Sequence, residues 1–89
     1  MFQVNITVRL SNGERFSFSY YEDGLNTNDL ESARHDIRKS FNNLLLSKRV
    51  TSFVSCLGAI VFINMGDVST MTIDVKEVTE DELRESKPI

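Results

Sequence analysis

Residues 2–21, with the sequence FQVNITVRLSNGERFSFSYY, carry the clearest structural pattern in the chain. Apolar and polar side chains alternate through residues 2–10 and again through residues 14–21, which is typical of two strands that each bury one face. Ser11, Asn12 and Gly13 lie between the two segments. An Asn-Gly pair between alternating segments indicates a β-hairpin.

The length of the hairpin loop follows from the requirement that both apolar sets share one face of the sheet. A two-residue Asn-Gly loop would pair even positions with odd ones and send the two sets to opposite faces. A three-residue loop pairs Val8 with Phe16, and it also pairs Ile6 with Phe18. The sequence therefore predicts a three-residue loop, with Gly13 in the left-handed conformation of a G1 bulge.

An amphipathic helix is predicted over residues 28–48. Its apolar residues recur at steps of three and four and form one stripe: Leu30, Ala33, Ile37, Phe41, Leu44 and Leu45. Asn28 followed by Glu31 has the spacing of a capping box. Lys48 and Arg49 are expected in the last turn, where cations favour the helix dipole.

Three further strands are predicted in the second half of the chain. Residues 50–57 are rich in β-branched and aromatic side chains, and Gly58 ends this segment. Residues 59–63 are apolar at every position, which is typical of a central strand covered on both faces. Residues 68–78 alternate again, with Met71, Ile73 and Val75 expected to point inward.

Together these segments predict one α+β domain over residues 1–78, with element order ββαβββ and the helix packed on one face of an antiparallel sheet. Residues 79–89 are expected to form an acidic, frayed tail. The residues expected among the most buried are Phe16, Phe18, Ile37, Phe41, Leu44, Phe62 and Ile73.

The composition limits the classes of function. Hydrophobic residues make up 40% and charged residues 26% of the chain, as in ordinary globular proteins. No apolar run approaches the length of a membrane span, so no membrane partner is expected. The net charge of −3 argues against sequence-independent binding of nucleic acid, because such binding requires many contacts between basic side chains and phosphates. A single cysteine and the lack of a signal-peptide pattern predict the cytoplasm.

Few residues are of the types that carry catalysis or bind metals. His35 lies off the apolar stripe and is expected at the surface, and Cys56 is expected to be a small buried hydrophobe. One histidine and one cysteine supply too few ligands for a zinc site, and no calcium loop or phosphate-binding loop is present in the sequence. We expect no catalytic residues, no metal and no cofactor.

Two features of the sequence suggest surfaces that bind a partner. On a helical wheel, Arg34, Arg38 and Arg49 fall within ~60° of one another beside the apolar stripe. They form either an ordinary solvated flank or a basic edge for an acidic partner or a phosphate backbone. The second feature is surplus apolar surface, because one helix covers only one face of a sheet. The candidate interaction surface comprises Arg34, Arg38, Leu46, Arg49, Ala59, Val61 and Ile63.

The sequence therefore predicts a non-catalytic binding or regulatory module that acts through protein contacts as a homodimer. A small nucleic-acid-binding regulator that uses the arginine edge is the alternative. Either a second copy or the tail of residues 79–89 is expected to cover the second face of residues 59–63. The short length, the many Ser, Thr and Asn residues and the lack of a site resemble accessory proteins of bacteria and their phages.

Overall fold

The computed structural model describes residues 1–23, 25 and 27–79. Its elements, in chain order, are β1 (Phe2–Leu10), β2 (Arg15–Glu22), α1 (Leu30–Ser47), β3 (Val50–Val54), β4 (Ile60–Asn64), a short 3-10 helix (Met65–Asp67) and β5 (Val68–Glu77). The predicted α+β class, with one helix packed on an antiparallel sheet, is confirmed. The predicted tail covers residues 79–89, and all of it except Thr79 lies outside the described residues.

The strands form two antiparallel sheets rather than one. The first sheet has the order β2-β1-β5, and the second is the β3–β4 hairpin alone. The tip of this hairpin meets the edge of β2, where the N–H of Cys56 donates to the carbonyl oxygen of Ser19 at 2.8 Å. β4 is therefore paired on one side only within the described residues, and the prediction of a central strand at residues 59–63 is wrong.

The predicted register of the first hairpin is confirmed. Val8 lies opposite Phe16, and Ile6 lies opposite Phe18. The N–H of Gly13 donates to the carbonyl oxygen of Leu10 at 3.0 Å, and Gly13 has a φ of 91°. The loop thus has the left-handed glycine that the parity of the apolar residues requires.

The core lies between the central strand β1 and the helix. Its buried residues are Phe2, Val4, Ile6, Val8, Ala33, Ile37, Phe41, Ile63, Met65 and Val75. Of the residues expected to be most buried, Ile37 and Phe41 are in this core, whereas Phe16, Phe18, Leu44 and Ile73 are half-buried around it. The prediction for Phe62 is wrong, because its side chain is 68% exposed. β1 has a neighbour on both sides, so its apolar face is covered more completely than those of the edge strands.

The helix is capped by Asp29 rather than by Asn28. The carboxylate Oδ2 of Asp29 accepts hydrogen bonds from the backbone N–H and the hydroxyl of Ser32, at 3.1 and 2.9 Å. At the other end, Lys48 is the C-cap and has a φ of 56°. The last helical turn contains no basic residue, so the placement of Lys48 and Arg49 in that turn is wrong.

A cluster of aromatic rings joins the β3–β4 hairpin to the rest of the protein. The ring centroid of Phe53 lies 5.4 Å from that of Phe18, 5.5 Å from that of Tyr20 and 5.6 Å from that of Phe41. The rings of Phe53 and Phe41 are nearly parallel, with an interplanar angle of 8°. One residue of β3 therefore contacts both the first sheet and the helix, which determines which face of the hairpin points inward.

Candidate functional site

The outward side of the second hairpin is an exposed apolar surface, which we call the hairpin face. It consists of Val50 and Val54 on β3 and of Ile60 and Phe62 on β4, and these side chains are 63–68% exposed. Val54 lies directly opposite Ile60 in the strand register. Phe62 lies directly opposite Ser52. Exposed apolar groups that lie side by side commonly mark an interaction site.

The structure changes which residues of β4 belong to the candidate surface. Successive side chains of a strand point to opposite faces, so Val61 and Ile63 point inward when Ile60 and Phe62 point outward. Ile63 is only 1% exposed, and Val61 is half-buried against the core. The assignment of Ile63 to an accessible surface is therefore wrong, whereas Val61 still lines a cavity beside β2. Ala59 is exposed in the loop that precedes β4.

Two exposed leucines lie outside the hairpin face. Leu46, on the outer side of the helix, is 73% exposed. The helical wheel places it away from the core stripe, and its exposure agrees with that position. Leu57, in the loop at the tip of the β3–β4 hairpin, is 92% exposed. A single exposed leucine needs no functional explanation, so neither residue defines a site by itself.

The three arginines of the predicted basic edge do not lie together in the structure. Arg34 and Arg38 lie on the wall of a groove between the helix and β5. Arg49 follows the helix C-cap and precedes β3, and it does not line this groove. A single edge of three arginines is therefore not formed, because the helix ends at Ser47, before the position that the helical wheel assumes for Arg49.

The α1–β5 groove consists of two adjoining cavities that share Arg38, Met71 and Ile73. Their volumes are about 550 and 410 Å³. The helix contributes a mainly polar wall, and the strand contributes an apolar floor. The lining residues are Arg34, His35, Arg38, Lys39, Phe41, Asn42, Leu45, Met71, Ile73 and Val75. The sequence indicated the basic residues, but not the strand that lies beside them.

The residues with reactive side chains do not converge in the described part of the chain. His35 lines the α1–β5 groove, whereas Cys56 lines a separate cavity beside β2, where the Nε2 of Gln3 lies 4.0 Å from its sulfur. Burial, together with the nearby charge of Glu22, raises the pKa of the Tyr20 hydroxyl well above its usual value. Within residues 1–23, 25 and 27–79, no three His, Cys, Asp or Glu side chains form a metal-binding group.

Comparison with protein-family models, with curated proteins and with solved structures finds no match for this chain. Among the residues that the structure describes, no helix has both the length and the apolar character needed to cross a membrane.

Proposed function

We propose that this protein is a non-catalytic binding or regulatory module that acts through protein contacts, and that it forms a homodimer through the hairpin face. The observation that carries this proposal is the exposure of Val50, Val54, Ile60 and Phe62 on one side of a two-stranded sheet. Its single cysteine, Cys56, fits the cytoplasmic location that the sequence predicts.

The apolar side chains of the hairpin face supply free energy for association when they are covered. Full burial of a Val, Ile or Phe side chain contributes ~1.5–3 kcal/mol. The four side chains are about two-thirds exposed, so covering them contributes roughly 4–8 kcal/mol in each protomer. Two protomers together gain roughly twice this free energy, against a cost of association of ~4–15 kcal/mol. The gain is of the same order as the cost and exceeds it over most of the two ranges, which supports association through this face.

A second copy of the chain is the simplest partner for this surface. In a two-fold dimer the same patch is used on both protomers, so an apolar face meets an equally apolar face. Ser52, a small residue, lies directly opposite Phe62 in the strand register. A large side chain opposite a small one gives a raised and a recessed position. In a two-fold dimer, the raised position of each copy can fit the recessed position of the other.

Sedimentation equilibrium at micromolar concentrations tests this proposal. We expect the wild-type protein to have a mass of about twice 10.2 kDa. Phe62→Glu should give the monomer mass, because it places a charge in the centre of the interface. Thr70→Glu is the matched control, since it adds the same charge at an exposed strand position of the other sheet, opposite Arg9, and should leave the dimer intact. A wild-type mass of 10.2 kDa, or dimeric Phe62→Glu, would contradict the proposal.

A further inference from the structure

We infer that the α1–β5 groove binds an extended, acidic segment of a partner protein, which adds a strand to the free edge of β5. This inference rests on the proposed function as a protein-contact module, and it names the chemistry of the partner. The groove and the hairpin face have no residue in common. Binding in the groove and dimerisation through the hairpin face can therefore succeed or fail independently in experiments.

β5 offers an unpaired edge to such a segment. Along one side it pairs with β1, for example Val75 with Val4 and Met71 with Val8. No strand in the described part of the chain pairs with its other side. An unpaired edge presents a row of backbone N–H and C=O groups, and extended peptides bind to such edges by forming main-chain hydrogen bonds.

The floor of the groove determines which side chains fit on the helix-facing side of an added strand. Met71, Ile73 and Val75 face the helix and line the groove, whereas Thr72 and Asp74 are exposed on the opposite face. Met71 and Ile73 are only half-buried, so they offer apolar surface to a neighbouring side chain. An added strand therefore fits best with some apolar side chains towards the helix and with polar side chains on the other face.

The wall of the groove selects for negative charge. Arg34, Arg38 and Lys39 are all exposed on the helix beside the floor. Within residues 1–23, 25 and 27–79, no carboxylate forms an ion pair with any of these three side chains. Carboxylates on the helix-facing side of an added strand would lie next to these three cations, and the guanidinium groups bind carboxylates well.

Two other occupants fit the groove less well. In a second copy bound edge to edge through β5, the two-fold axis would bring the cations of both grooves towards each other, which is repulsive. A nucleic acid needs a track of cations that follows its phosphates, whereas this groove has an apolar floor and the whole chain has a charge of −3. An acidic peptide matches both the floor and the wall.

Fluorescence polarisation with designed peptides tests this inference on the full-length protein. The probe is the labelled peptide TETVTETVTE, which has Thr on one face and alternating Glu and Val on the other when it is extended. We expect it to bind at least tenfold more tightly than TKTVTKTVTK, and at least tenfold more tightly than TEETTVVTTE, which has the same composition without the alternation. Perturbed amide NMR signals should include those of Met71 and Ile73.

Charge-reversal variants connect the binding to the groove. Arg38→Glu should weaken binding of the acidic probe at least tenfold. Arg49→Glu, the matched control outside the groove, should change it less than twofold. Circular dichroism should show that both variants keep the fold, since both side chains are exposed.

Four results would overturn the inference. The first three are equal binding of the acidic and basic peptides, equal effects of the two arginine variants, and displacement of the probe by short single-stranded or duplex DNA at low salt. The fourth concerns the acidic residues of the chain's own tail. If Glu82→Gln/Glu85→Gln raised the affinity for the probe tenfold, the tail would be the natural occupant of the groove. None of these four results bears on dimerisation through the hairpin face.

Discussion

At the scale of single residues, the two ends of the helix show what a sequence pattern can and cannot locate. Asn28 and Asp29 are both good N-cap residues, and the sequence offered no reason to prefer the second. The structure selects Asp29 because its carboxylate reaches Ser32, which donates two hydrogen bonds to it. At the C-terminal end, no glycine follows the helix, so the left-handed conformation of Lys48 was not predictable from residue type.

The cap makes the stability of the protein depend on pH. Hydrogen bonds from the hydroxyl and then the backbone N–H of Ser32 lower the pKa of the Asp29 carboxyl group. Because the folded pKa is the lower one, the ionised cap contributes its full stabilisation above the unfolded pKa of ~4, and this is lost as the pH falls through the folded pKa.

Asp29→Asn keeps a capping side chain but removes this titration. We expect the advantage of the wild type in melting temperature to shrink as the pH falls from 5 towards 2, in thermal melts followed by circular dichroism. Asp36→Asn, which removes a carboxylate from the same helix without affecting the cap, is the control. If Asp29→Asn and the wild type lose stability in parallel over this range, the account of the cap is wrong.

A Lys→Gly substitution should change the free energy of unfolding in opposite directions at Lys48 and at Lys39. A left-handed conformation costs a non-glycine residue roughly 1–2 kcal/mol, so Lys48→Gly should raise the free energy of unfolding by about 0.5–1 kcal/mol. Lys39 is exposed in the interior of the helix, where Lys39→Gly should lower the free energy of unfolding by about 1 kcal/mol. Urea denaturation measures both values, and a loss of stability in both variants would contradict the assigned end of the helix.

At the scale of secondary-structure elements, the two hairpins differ in how far their sequences determine them. In the first hairpin both strands alternate strictly, so only one register places all apolar residues on one face. In the second, residues 59–63 are apolar at every position, and alternation cannot show whether Phe62 or Ile63 points inward. The ring of Phe53 decides this by packing against the helix and β2, which are distant in sequence.

The aromatic cluster that holds the second hairpin gives a direct test of this packing. Phe41 is buried and stacks on Phe53, so Phe41→Ala should lower the free energy of unfolding by ~3–5 kcal/mol. Phe62→Ala removes an equally large ring from an exposed position. In urea denaturation at protein concentrations where the protein is monomeric, it should cost under ~1 kcal/mol. Equal losses for the two variants would show that the inward face of β4 is wrongly assigned.

At the scale of the whole molecule, the sequence predicted the fold class but not the arrangement of the strands. Element order follows from local patterns, whereas the position of β5 at the edge of β1 depends on contacts between residues that are far apart in the chain. For this reason Arg34 and Arg38 were recognisable as candidate site residues, while the groove that they form with β5 was not. In the same way, surplus apolar surface was expected on residues 59–63, and the structure assigns it to Ile60 and Phe62.

We propose that a second copy of the chain covers the hairpin face. Isotope-filtered NMR on a mixture of labelled and unlabelled protein tests it most directly, because it detects only contacts between different molecules. We expect nuclear Overhauser effects from the ring of Phe62 to methyl groups of Val54 and Ile60 in the other protomer. Intermolecular contacts that involve only Leu46 or other surfaces, or no such contacts at millimolar concentrations, would contradict the claim.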